Sequence, residues 1–385
     1  MTGLRKNSTG RIGKAAAFLF LLLFLPLAAR AGGTWISVTD LETLPENPQN
    51  DSFTGEIRIT FLGDCTLGGP EKMRNNALGF QRRIEENGYG FPFRNLSVLT
   101  SRDDLTVANL EGVLSDRKLK KEKKKWNFIG PTAYTQILAE GSIECASLAN
   151  NHTQDYGDDG YLDTKQALDT AGISWFSTET PGIWETEDGV RIGFLGVNYN
   201  MTGNRYKRYA AQSDSLRKAG CSAVITIMHA GTEYNYEPPD DYQQQIVERA
   251  VSCGTDLVIG HHPHVVQGYT VADGVPVVYS LGNCSFGGTT HAKDSDALVV
   301  QAVLFFRDGS PEKIELHFYP ISITSDERYN NYSPCFLTGE DAERVLNKMR
   351  RSTGMDPGPW NEETGAVVSF PVEKKTPVDY NDSKE

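Results

Sequence analysis

The chain has 385 residues, 39% of them hydrophobic and 23% charged, with a formal net charge of −12. That is enough apolar material for a full core without repeats or a disulfide scaffold, and the acidic balance argues against a nucleic-acid binder. Six scattered cysteines with no Cys-x-x-Cys pair argue against a disulfide framework and against a thiolate zinc or redox motif.

At the amino end, Arg5, Lys6, Arg11 and Lys14 precede the apolar run Ala15 to Ala29, and Ala29-Arg30-Ala31 has the small-x-small form of a cleavage site. Residues 1–31 therefore read as a secretory signal. The run is shorter than the roughly 20 apolar residues of a spanning helix and holds Pro26, so a cleaved peptide is favoured over a retained membrane anchor. The expected location is secreted, periplasmic or cell-surface. Without these residues, which carry five basic and no acidic side chains, the net charge falls to −17.

Residues 32–55 are polar, hold two prolines and read as a linker. From Glu56 onward, short β-branched or apolar runs alternate with amphipathic stretches. Ile57 to Leu62, Leu105 to Asn109, Glu144 to Leu148, Val190 to Val197, Ala223 to Met228 and Asp256 to Ile259 read as strands. Glu71 to Glu86, Pro131 to Glu140, Gly160 to Ala171, Lys207 to Ala219 and Tyr242 to Cys253 read as helices. That alternation predicts an α/β fold with a mostly parallel sheet covered by helices. Val275 to Ser280, Leu298 to Phe306 and Lys313 to Tyr319 follow without intervening helices and predict antiparallel strands, hence two sheets or one mixed sheet. A domain over 56–323 and a carboxyl-terminal extension over 324–385 are expected, with the polar residues 361–385 frayed. The run Lys118 to Lys125 (KLKKEKKK) is a basic island; a solvated loop is its simpler reading and a grip on an anionic polymer its sharper one.

In open α/β sheets ligands bind at the carboxyl ends of strands. Here nearly every strand runs into polar residues: Gly63-Asp64; Asn109-Leu110-Glu111; Asn150-Asn151-His152 with Asp155 following; His229-Ala230-Gly231-Thr232-Glu233; Gly260-His261-His262-Pro263-His264; and Gly282-Asn283. Five of the seven histidines fall at these ends. A lone Gly-Asp is usually a turn and a lone Asn-His a cap, but six such ends together match what a divalent ion demands: imidazole nitrogens and carboxylate oxygens converging from several segments. Oxygen and nitrogen donors without thiolate favour one or two ions of manganese, iron or zinc in a catalytic role. Such an ion lowers the pKa of bound water toward about 7, and a nearby histidine can protonate a leaving group.

The ordered motifs FLGD, VANLEG, SLANNHTQDYGDDGYLDTKQALDTAGI, IMHAGTEY, VIGHHPHVVQG and YSLGN, spanning Ile57 to Ile323, resemble the bacterial capsule (poly-γ-glutamate) biosynthesis proteins of the CapA/PgsA type. The resemblance implies a calcineurin-like, metallophosphoesterase-type layered sandwich of two mixed β-sheets flanked by helices. It implies Asp64, Glu111, Asn151, His229, His262 and His264 as metal ligands, with Glu111 bridging two ions. It further implies His152 as general acid, with Asp155 and Asn109 beside it in catalysis, and His261, Glu233, Gln267 and Asn283 as residues that orient ligands or substrate. Metallophosphoesterases usually carry Asp-x-His at the first position, and here Thr66 stands two residues after Asp64, which puts the number of ions in question. The expected activity is a metal-dependent hydrolase acting on a phosphoester or an anionic surface polymer. The alternative is a non-catalytic accessory protein for export or assembly of such a polymer, working with membrane-bound synthesis machinery.

Overall fold

The computed structural model describes residues 32–37, 52–198 and 200–372; the signal expected over 1–31 lies outside the described residues. The segment read as a linker opens instead with a strand, β1 (Gly33–Ser37), because Trp35 stacks on Phe176 and Phe194 with ring centroids 6.3 and 5.7 Å away. Its companions follow in chain order: β2 (Gly55–Thr66), β3 (Leu105–Leu110), β4 (Val113–Leu114), β5 (Ile129–Gly130), β6 (Cys145–Ser147), β7 (Ser174–Phe176), β8 (Gly182–Thr186) and β9 (Arg191–Asn198). The second half supplies β10 (Cys221–His229), β11 (Leu257–His261), β12 (Val266–Ala272), β13 (Val275–Leu281), β14 (Asn283–Phe286), β15 (Asp296–Arg307), β16 (Ser310–Ser322), β17 (Cys335–Phe336) and β18 (Ala366–Pro371). Seven helices accompany them among the described residues: α1 (Phe80–Asn87), α2 (Ser97–Thr100), α3 (Thr135–Glu140), α4 (Gly157–Ala171), α5 (Gly203–Lys218), α6 (Asp241–Ser252) and α7 (Gly339–Thr353).

The strands form two large mixed sheets. In the nine-stranded sheet the order is β17-β16-β15-β2-β3-β6-β7, with β14 paired to β2 and β18 to β16; β2, β3, β6 and β7 run parallel, and β15 and β16 are antiparallel. The seven-stranded sheet has the order β1-β8-β9-β10-β11-β13-β12, parallel from β9 to β13. A β4-β5 pair stands apart. One apolar core lies between the sheets, joining Ile57, Ile59 and Phe61 of β2 to Phe194 of β9 and Ile225 and Ile227 of β10. A second lies under α1, α3 and α4, and a third under α5 and α6, so the layers run helix, sheet, sheet, helix. Each fully buried Phe or Ile contributes roughly 1.5–3 kcal/mol.

Local chemistry explains the element ends. Asp240 caps α6 in a capping box with Gln243, which satisfies two otherwise orphaned amides. Gly172 closes α4 in the left-handed conformation, and Asp158 and Asp159 meet the positive end of its dipole. The helix expected over Glu71 to Glu86 is instead a short 3-10 turn, Glu71–Met73, followed by α1, because Gly79 and the turn before it interrupt the apolar period. The tail expected to fray from residue 361 includes strand β18, since Ala366 and Phe370 bury against the inter-sheet core. Val345, Leu346 and Met349 of α7 join that same core, so the described part of 324–385 is built into the sandwich.

A candidate metal centre at the carboxyl ends of both sheets

Asp64 lies near the end of β2, past a register shift between Leu62 and Asp64. Gly63 is required there: a β-carbon on it would stand 2.4 Å from the Gly282 carbonyl oxygen, which accepts the Asp64 N–H at 3.0 Å. Glu111 follows β3 and is pinned by its N–H donating to the Cys65 carbonyl at 2.8 Å. Asn150, Asn151, His152 and Asp155 occupy the loop after β6, His229 ends β10, and His261 ends β11, in register with His229. His262 and His264 hold positive φ values of 97° and 56°. Such backbone costs on the order of 1–3 kcal/mol each, persists only where packing enforces it, and here turns successive imidazoles into one space.

The side chains converge. Glu111 Oε1 lies 3.8 Å from His152 Nε2, 3.7 Å from His229 Nε2 and 3.9 Å from His264 Nε2. Asp64 Oδ2 lies 3.1 Å from His264 Nδ1, and His229 Nε2 lies 2.9 Å from Asn151 Oδ1 and 3.1 Å from His262 Nδ1. Two donors that each stand about 2.1 Å from a shared cation are themselves roughly 3–4 Å apart, so these separations suit a metal. Asp64, Glu111 and His264 offer three donor atoms mutually within 4.8 Å, all buried. Both Glu111 oxygens are buried without a hydrogen-bond donor. An uncompensated buried carboxylate is too costly to persist for packing alone, and a divalent cation is the partner this donor set fits.

Electrostatics in the cation-free centre agree. Burial and the Asp64 charge push the Glu111 carboxyl well above its ordinary range. Burial works against the Asp64 charge too, but the His261 and His264 imidazoles hold it well below the usual carboxylate range. Burial and the neighbouring His262 push His229 far down, burial and His264 bring His262 to about 4, and both rings are thus neutral donors. Burial opposes charge on His264 as well, yet Glu111 and Asp64 raise it to about 10, so a cation must displace that proton.

The remaining expected residues sort by contact. His152 Nδ1 lies 2.8 Å from Asp155 Oδ2, and the Phe128 ring packs on the imidazole at 4.3 Å, which fixes its plane. Asn109, expected in catalysis, donates its amide to Asp64 Oδ1 at 2.8 Å and lies 3.2 Å from His229 Nδ1, so it holds these two side chains in place. Asn283 Oδ1 lies 2.9 Å from His264 Nδ1. Gln267, expected to orient ligands or substrate, instead accepts from Gln243 at 2.8 Å and donates to the Asn235 carbonyl at 3.1 Å, which ties down the loop after His229. Glu233 is exposed and reaches Glu111 and His262 through its charge. Cys65 and Cys284 are buried free thiols on the paired strands β2 and β14.

Two contributors lie in segments the sequence reading flagged without giving these residues a role. Asn150 donates to Asn109 Oδ1 at 3.1 Å and to the Leu110 carbonyl at 2.8 Å, locking the β6 loop onto β3. Lys124, from the basic island, donates to the Asn151 carbonyl at 2.7 Å and ion-pairs with the buried Asp155 carboxylate. The doubled Asn-Asn before His152 was a visible signal for the first; nothing in a lysine run singles out the second.

Against known proteins, the family model described as bacterial capsule synthesis protein PGA_cap matches residues 58–287. The capsule biosynthesis protein CapA of Bacillus anthracis is 25% identical over 338 residues, covering 77% of this chain and 78% of that protein. The PGA biosynthesis protein CapA of Bacillus subtilis (strain 168) is 26% identical over 276 residues, covering 65% and 69%. Among solved structures, the calcineurin-like phosphoesterase YfkN from Bacillus subtilis is similar over 68% of this chain and 88% of that one, at 14% identity and a TM-score of 0.36.

Proposed function

The chain belongs to the bacterial capsule synthesis protein family, and from that premise we propose that it is a metal-dependent hydrolase of capsule biosynthesis. The observation that carries this reading is Glu111: a carboxylate with neither oxygen hydrogen-bonded, buried among three imidazole nitrogens 3.7–3.9 Å away. Asp64, Glu111 and His264 would hold one divalent ion, and Asn151, His229 and His262, sharing Glu111, a second. Manganese, iron or zinc suits these oxygen and nitrogen donors. A cation bound here would supply the chemistry of acidifying water enough for attack near neutral pH.

The chain's own residues do the rest. Asp155 holds His152 through Nδ1, which leaves Nε2 facing Glu111 and free to pass a proton to a leaving oxygen or nitrogen. Asn109 and Asn283 fix Asp64 and His264 in the orientation that binding needs. The substrate class is a phosphoester or an anionic surface polymer such as poly-γ-glutamate, met at the cell surface beside membrane-bound synthesis machinery. The relatives' role in capsule and PGA biosynthesis supports that location, and among the described residues no helix is long and apolar enough to cross a membrane.

The test is purified chain assayed with aryl phosphate and with poly-γ-glutamate, with added manganese or zinc and with chelator. Metal-dependent turnover is expected, and His152→Ala should lower kcat by about 10²-fold or more while metal content is unchanged. Turnover that survives chelation, or its absence with every ion and both substrates, sinks the hydrolase reading and favours the accessory role.

A further inference from the structure

We propose that His261 is a metal ligand, completing through Nδ1 the cation position formed by Asp64, Glu111 and His264. The proposal rests on the metal reading above and deepens it. The two donor sets that share Glu111 are unequal: Asn151, His229 and His262 stand on one side, whereas Asp64 and His264 alone stand on the other. Counting the shared Glu111, the first side offers four protein donors and the Asp64 side three, so the Asp64 side has room for one more.

His261 supplies what is missing. It is the last residue of β11, paired in register with His229 at the end of β10, so the sheet itself delivers the ring to the centre. The side chain is buried, with 2% of its surface exposed, and Nδ1 lies 3.4 Å from Asp64 Oδ1, the spacing of two donors on a common ion. That nitrogen is buried without a hydrogen-bond partner. A ring nitrogen in this condition costs on the order of 1–3 kcal/mol unless something engages it; the Asp64 carboxylate faces it without a well-formed hydrogen bond, and a cation held between the two would engage both. A histidine kept merely for packing needs no such aim at a carboxylate.

Calorimetric titration of apo-protein with manganese and zinc, with metal content by elemental analysis, tests the assignment. Wild type, His261→Ala and the exposed control His291→Ala are compared. We expect His261→Ala to weaken one equivalent by at least about 100-fold, or to lose it, and to leave the other near its wild-type affinity, with His291→Ala unchanged. A wild type that takes up no divalent ion overturns the metal centre and this assignment with it. A wild type that loads while His261→Ala loads equally well overturns His261 alone. Should His261→Ala not fold, nitrogen-15 spectra of histidine-labelled wild type decide the matter: a His261 Nδ1 resonance that shifts on zinc loading supports ligation, and one that stays put excludes it.

Discussion

At the scale of single residues, Glu111 sets opposite demands on stability and binding. In the cation-free protein its carboxyl is pushed well above the ordinary range by burial and by Asp64, so the fold holds a proton there that the unfolded chain would release. Such a group weakens folding as pH rises past its unfolded value. Glu111→Gln is therefore expected to melt at or above the wild-type temperature in chelator at pH 8, yet to lose the stabilisation that metal confers. At a free metal concentration about 100 times Kd that stabilisation is about 2.7 kcal/mol. Thermal melts with and without manganese check both halves. Residues of this kind were largely legible in the sequence, because polar side chains stacked at strand ends announce a ligand site. Asn109's position at the strand end follows from β3, whereas its donation to Asp64 depends on how far β2 and β3 are staggered and leaves no trace in the sequence. Lys124 was hidden, since a lysine's reach across a loop leaves no periodic trace.

At the scale of elements, the ends of β3 and β6 opposite the candidate metal centre carry a pair of half-buried acids. Asp103 and Glu144 are raised to about 7 and about 8, chiefly by burial; Asp103 also raises Glu144, and the Thr106 N–H and hydroxyl bind Glu144 and Asp103 respectively. Both folded values exceed the unfolded ones, so the folded state binds more protons between about pH 4 and 8 and stability falls as pH rises through that window. Glu144→Gln should thus gain on wild type with increasing pH, by up to a few kcal/mol near pH 8, in urea titrations at fixed ionic strength. A difference that does not grow with pH refutes it. The main strands and four of the helices were legible from apolar period and caps. β1 and β18 were not: each is a short edge strand set among polar neighbours, stabilised by partners far away in sequence, β8 and β16.

At the scale of the whole molecule, the centre draws Asp64, Glu111, Asn151 and His152 from the nine-stranded sheet, and His229, His261, His262 and His264 from the seven-stranded one. The chain passes from one sheet to the other at Gly282, whose φ of 73° lies in the left-handed region that favours glycine. A shared ion would cross-link both layers, so amide exchange should slow at the carboxyl ends of both sheets on loading. Protection confined to one sheet contradicts a shared centre. Trp35 likewise spans the layers, resting on Phe176 of one and Phe194 of the other. Deleting residues 1–37 rather than 1–31 should cost up to about 3 kcal/mol, below the range for a fully buried aromatic because Trp35 is half-buried, as read by urea midpoints. Equal midpoints dismiss β1 as part of the fold.

The antiparallel match of Gly33–Ser37 with Gly182–Thr186 also sets a timetable. On any route that threads the polypeptide amino end first, this ribbon emerges early and its mate arrives only after roughly 150 further residues. Until then its unpaired amides and Trp35 stay available to neighbouring chains, which makes the earliest stretch to appear the last to be secured and a natural point for chaperone escort.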